Sequence, residues 1–263
     1  MPAQLDLTRL SVRQFAERFR SEMIPLSNTF SYFCASVPMT EDDLKEYLQE
    51  PVAALPPAMT AALPKISILL VPYLERANGA HGAKSRSKTP ASDFVTVEKP
   101  PEGKISTSTQ LRLGDETVLA FALKDQEVAE YHYRFYHLLA TLMGEHWSDD
   151  MESAYGRVLR EELNADAHGE VDEPSWRLKQ TLRRVQNARG GAVNNSKTFR
   201  EYARQSFIDT LTLYLHGICC DIDVDTGPRQ LPSRCLRKRL ELLKTLFPPP
   251  QGRGVFPEDV KSR

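Results

Sequence analysis

Residues 117–143 read TVLAFALKDQEVAEYHYRFYHLLATLM, and two periodicities meet inside this stretch. Thr117 to Leu123 is an unbroken apolar and β-branched run of strand length, introduced by the turn pair Gly114-Asp115. Past Asp125 the apolar positions recur every three to four residues, at Val128, Tyr131/His132, Phe135, Leu138/Leu139 and Leu142/Met143. That spacing is the broad inward face of a helix. A chain that changes period in this way mixes strands with helices, and the flanking sequence shows in what proportion.

Upstream, Ile66 to Val71 is a second apolar, β-branched run, and Pro72 after it suggests a sheet edge or a strand end. Phe94 to Val97 is a short third one. These runs predict a small antiparallel sheet of about three strands within residues 65–124. Before it, Ser11-Val-Arg-Gln14 has the form of a capping box followed by Phe15, Phe19 and Met23, with Pro25 as the stop. Thr40-Glu-Asp-Asp43 opens a second, acidic helix that Pro51 ends. Residues 77–92 are rich in Gly, Ser and Lys with almost no large apolar side chain, which predicts a mobile loop.

Downstream the pattern stays helical. Ser148, Asp172-Glu-Pro174 and Thr198-Phe-Arg-Glu201 each look like helix starts, and Arg234 to Leu246 carries the last helical spacing. Pro248-Pro-Pro250 then predicts an extended tail over 248–263. The expected class is α+β and mainly α-helical, with the small sheet packed on a C-terminal helical bundle. Strands between flanking helices predict a single domain over 1–263.

The chain of 263 residues has 34 Lys plus Arg and 35 Asp plus Glu, a net charge of −1. This balance hides a polarity. Residues 1–173 hold 17 basic and 27 acidic residues, a difference of −10, and residues 174–263 hold 17 and 8, a difference of +9. A basic third of this kind suits an anionic partner, including a nucleic acid, or an internal match to the acidic body. No apolar run is long enough to span a bilayer, and the N-terminal stretch lacks the apolar segment of a secretory signal. Cys34, Cys219, Cys220 and Cys235 make a poor disulfide framework, so a reducing, cytoplasmic setting without membrane attachment is expected.

Two constellations could carry chemistry. In Asp221-Ile-Asp223-Val-Asp225, alternation puts three carboxylates on one face of an extended segment. Like charges so spaced need a counter-charge, either a hard divalent ion such as Mg²⁺ or Mn²⁺ or the nearby Arg229, Arg234 and Arg237. The run fails as a calcium-binding EF-hand loop, because its sixth and twelfth positions are Thr226 and Pro232. In Glu130-Tyr-His132-Tyr-Arg-Phe-Tyr-His137, the two histidines are five apart and point in different directions, so they are not a metal pair. His132 lies on the apolar face and reads either as a hydrogen-bonded core histidine or as a general base. Of Cys219 and Cys220, flanked by Ile218 and Ile222, at least one reads as buried.

No Walker loop, nucleophile elbow, His-Glu-x-x-His helix or Cys-x-x-Cys pair occurs. The leading functional expectation is therefore a non-catalytic interaction or regulatory protein, with a protein partner or self-association. A metal-dependent phosphate-transfer or hydrolytic enzyme using Asp221, Asp223, Asp225 and His132 is the first alternative. Nucleic-acid binding through the basic C-terminal helices is the second.

Overall fold

The computed structural model describes residues 9–76, 93–189, 196–220, 231–256 and 258–259. The 77–92 segment and the Asp221–Asp225 run lie outside the described residues. In chain order the first elements are β1 (Leu10–Ser11), α1 (Val12–Arg18), β2 (Ile24–Pro25), β3 (Phe30–Cys34), α2 (Glu41–Leu44), α3 (Glu50–Ala53) and α4 (Pro57–Ala62). Six strands follow: β4 (Lys65–Val71), β5 (Tyr73–Glu75), β6 (Phe94–Thr96), β7 (Ile105–Ser106), β8 (Ser108–Leu113) and β9 (Glu116–Ala122). The rest is helical: α5 (Val128–Glu145), α6 (Asp149–Asn164), α7 (Glu173–Arg189), α8 (Lys197–Cys220) and α9 (Ser233–Leu246). The chain divides into two compact units, residues 1–49 with 63–131, and residues 50–62 with 132–263.

The first unit holds the sheets. The class is α+β as expected, but the small antiparallel three-stranded sheet is replaced by two sheets, one of four strands and one of five. The larger runs β2-β3-β4-β9-β8, and its centre, β3-β4-β9, is parallel. Ile66 to Val71 is thus a central strand and not an edge. Its side chains are almost wholly buried on both faces, which is why it reads as a continuous apolar run with no alternation. Pro72 lies one residue past the strand, where no ladder hydrogen bond is required of it. Parallel neighbours need a crossover, and the β3–β4 connection supplies one through α2, α3 and α4.

Two local signals hold in this unit. Ser11 accepts from the Gln14 backbone while the Gln14 side chain returns to Ser11, and Thr40 and Asp43 do the same. Gly114 adopts φ +67 in the two-residue turn that pairs Leu113 with Glu116, a conformation that costs glycine little. Val12, Phe15, Ala16 and Phe19 then pack with Leu69, Val71, Leu74, Val95 and Val118 in one apolar cluster.

The second unit is helical, and its interior is charged. Arg239 on α9 is fully buried, with Nε donating to Glu162 on α6 at 3.0 Å and Nη1 donating to Glu170 at 2.7 Å and to Ser206 on α8 at 2.9 Å. Glu170 also accepts from the Tyr202 hydroxyl and faces the ammonium of Lys179 on α7 at 3.3 Å. Lys179 donates to the Gly169 carbonyl at 2.7 Å. Two buried cations thus meet two buried carboxylates, with hydroxyl and carbonyl groups taking the remaining bonds. Without such matching, burying these charges would be prohibitive. Asp209, buried on α8, accepts from the Ser175 backbone at 3.1 Å and so caps the start of α7 from another helix.

The same pattern accounts for much of the sequence's charge polarity. Basic residues of the C-terminal third meet acidic residues before position 174: Arg177 with Glu173, Arg183 with Asp166, and Lys238 with Glu161. Helix α8 is capped by Ser196, which accepts from the Phe199 backbone, two residues before the Thr198 start that the sequence suggested. After Pro250 the tail turns back, and Val255 and Phe256 are buried, with the Arg237 guanidinium 4.5 Å from the Phe256 ring centre.

Burial alone would raise the Glu170 pKa, but the Arg239 charge and hydrogen bonds, together with Lys179, outweigh it and hold the carboxyl at about 2. The unfolded chain therefore takes up a proton at a higher pH than the folded one. The resulting stability is present above about pH 4.5 and is lost as pH falls towards about 2. Glu170→Ala should cost about 3–5 kcal/mol in urea unfolding at neutral pH, because it leaves buried Lys179 facing no carboxylate at Glu170 and Arg239 with Glu162 alone. The variant should also lose stability less steeply than the parent between those two pH values. A cost under about 1 kcal/mol would show that the charges are solvated.

Candidate metal centre

Helices α5 and α8 run antiparallel, and three contacts give their register. A Cβ on Gly144 would lie 2.8 Å from the Ile208 side chain, His137 Nδ1 is 3.5 Å from Thr212 Oγ1, and His132 Nδ1 is 3.3 Å from Cys220 Sγ. Positions rise on one helix as they fall on the other. Glycine at 144 leaves room for the Ile208 side chain there, and the pairing carries His132 to the C-terminal turn of α8.

That turn presents His216 and Cys220, four residues apart and so on one helical face. With His132 they form a group whose ligand atoms all lie within 4.8 Å of one another. His132 is 8% exposed, and His216 and Cys220 are half-buried. The His216 ring sits beside two tyrosines, with centroids 6.4 Å from Tyr133 and 6.1 Å from Tyr136. Tyr133 is itself anchored, since its hydroxyl donates to Asp172 at 2.6 Å. Tyr136 donates to the Pro51 carbonyl at 3.2 Å. The aromatic neighbours of His132 on α5 thus pack beside the second histidine.

Burial, and then the neighbouring His132, lower the His216 pKa to about 4, so this imidazole is neutral at ordinary pH. Cys219 and Cys220 share a hydrogen bond, which lowers the Cys219 pKa to about 6 and holds Cys220 well above its usual value. The pair therefore gives up a first proton easily and a second with difficulty. Cys34 is different: burial pushes its pKa up to about 11, and its sulfur lies 3.4 Å from that of Met39.

Two imidazoles and the Cys220 sulfur, which gives up its proton on binding, are a borderline-soft donor set of the kind zinc takes, at a site with three protein ligands. The fit rests on chemistry and placement together: donors of the right softness, on two paired helices, in a shielded position. Of the sequence candidates, His132 is brought into this group. Asp221, Asp223 and Asp225 follow Cys220 directly in sequence but lie outside the described residues. His216 was missed, and Cys220 was read only as half of a cysteine pair with at least one buried member. The signal that could have found them was the His-x-x-x-Cys spacing, once the helix opening near Thr198 is carried on to Cys220.

No family model matches this chain, and neither a curated protein nor a solved structure matches it. Among the described residues no helix is long and apolar enough to cross a membrane.

The thiol environments predict an order of reaction. Limiting iodoacetamide near neutral pH should alkylate the Cys219–Cys220 pair well before Cys34, as mapped by peptide mass spectrometry. First modification at Cys34 would contradict the assigned environments.

Proposed function

We propose that this chain is a transition-metal-binding protein that holds one zinc ion through His132, His216 and Cys220. The observation that carries the reading is the convergence of three such donors within 4.8 Å on two antiparallel helices. It is independent of the Asp221–Asp225 run and needs neither Mg²⁺ nor Mn²⁺. Bound zinc would supply a Lewis-acidic centre or a structural clasp between α5 and α8. Both uses suit an interaction or regulatory protein as well as an enzyme. The basic helices favour nucleic acid less, because Arg177, Lys179, Arg183, Arg237, Lys238 and Arg239 all face carboxylates.

Equilibrium dialysis with elemental analysis should find one zinc per chain. His132→Ala, His216→Ala and Cys220→Ser should each weaken binding about 100-fold, as expected when one of a few ligands is lost. Cys219→Ser should retain affinity within a few-fold. Zinc at 100 times its Kd should raise the unfolding free energy by about 2.7 kcal/mol. Zinc that fails to bind, or that binds equally to all four variants, rules the reading out.

A further inference from the structure

Cys219 is the thiol that the zinc reading leaves unused. Among the described residues the donor group holds His132, His216 and Cys220, yet the residue just before Cys220 carries a second sulfur. Both cysteines are half-buried and free of any disulfide, so part of each side chain faces solvent. The other two cysteines are placed differently. Cys235 is buried on α9, and the Cys34 sulfur lies 3.4 Å from that of Met39 in the other compact unit.

Both members of the pair are helical. Successive side chains of an α-helix point about 100° apart, and the Cys220 side chain points towards His216 and His132. A disulfide needs its Cβ atoms about 3.8 Å apart and its Cα atoms roughly 4.4–6.8 Å apart. Adjacent residues across a trans peptide have Cα atoms only about 3.8 Å apart. Joining the two sulfurs therefore closes a strained ring and turns the Cys220 side chain out of its helical direction. Strained, accessible disulfides are the readily reduced ones, which suits a bond made and broken in use.

We infer that Cys219–Cys220 is a peroxide-sensitive dithiol, and that its oxidation to a disulfide removes Cys220 from the donor group and so releases the metal. This regulation rests on the zinc reading. Cys220 Sγ lies 3.3 Å from His132 Nδ1. In the metal-free chain that sulfur attacks one oxygen of hydrogen peroxide, and the thiol proton passes by way of the ring nitrogen to the departing oxygen. The O–O bond breaks, giving water and a Cys220 sulfenic acid. The Cys219 sulfur then attacks the Cys220 sulfur, the S–O bond breaks, and the hydroxyl leaves with the Cys219 proton as a second water. Two electrons pass from the thiols to the peroxide. Oxidation consumes the metal-free chain and draws zinc off by mass action, because the disulfide has no thiolate to offer the ion. A dithiol reductant restores both thiols by exchange.

The test uses the full chain loaded with zinc and treated with hydrogen peroxide. A chromogenic chelator reads free zinc, and mass spectrometry reads the peptide that holds both cysteines. Zinc release should accompany the loss of two hydrogens from that peptide, and dithiothreitol should reverse both. The oxidised chain should bind zinc about 100-fold more weakly, the loss expected for Cys220→Ser. By reciprocity, zinc saturating both forms should favour the dithiol over the disulfide by the same factor. Cys219→Ser should load zinc within a few-fold of the parent but never show the loss of two hydrogens. Undiminished zinc affinity in a chain that carries the disulfide overturns the switch and leaves the metal reading standing. So do zinc release without that disulfide, a bond from either cysteine to Cys34 or Cys235, and thiols that excess peroxide leaves intact. An untreated chain that binds no zinc removes the metal reading first, and the switch with it.

Discussion

A guanidinium cannot be left in a dry interior alone, and Arg239 makes that constraint organise the helical unit. Once its charge is buried, the carboxylates of Glu162 and Glu170 must be there too, and each brings its own segment of chain. Glu170 in turn requires Lys179 and the Tyr202 hydroxyl, so α6, α7, α8 and α9 are all tied to one set of bonds. Hydrophobic contacts such as those of Tyr155 with Phe207 tolerate small slides of one helix on another. Bidentate and charge-assisted bonds do not. Buried ion pairs often add little net stability over apolar packing of similar volume. Their contribution here is a unique arrangement, because a shifted register would leave a charge unmatched.

This constraint reaches the metal centre through α8. Ser206 and Tyr202 join the charged network, Asp209 caps α7, and the same helix then continues to His216 and Cys220. The face of α8 that carries the donors is set by bonds about two to four turns before His216. α5 is placed against that helix by the Gly144 approach and delivers His132. The donors therefore need no dedicated loop. They lie on two rigid elements whose relative register is decided elsewhere.

The sequence showed the parts that depend on neighbours along the chain. The capping residues Ser11, Thr40 and Ser148, the strand before Leu123 and the Gly114 turn all express local rules, and all appear. β3 was not legible, because Phe30-Ser-Tyr-Phe-Cys34 has neither clean alternation nor a turn beside it, and its parallel pairing with β4 joins residues 36 positions apart. β8 was hidden by polar residues suited to an outer strand. Arg237, Lys238 and Arg239 look alike in sequence, yet only the third points inward; helical phase and distant carboxylates make that choice. The centre was half legible. The spacing of His216 and Cys220 is local, whereas His132 joins them only through helix pairing.

Gly144 gives the second unit a mechanical property as well as a packing one. It lies twelve positions from His132 along α5, roughly 18 Å at the rise of an α-helix. The Ile208 side chain lies against α5 at this glycine, so a tilt of the helix there would be magnified at His132. A tilt of about 3° would displace the histidine by ~1 Å, a third or more of a bonding distance. A side chain in place of one hydrogen, three turns away and touching no donor, would thus be felt as a change in the bite of the site.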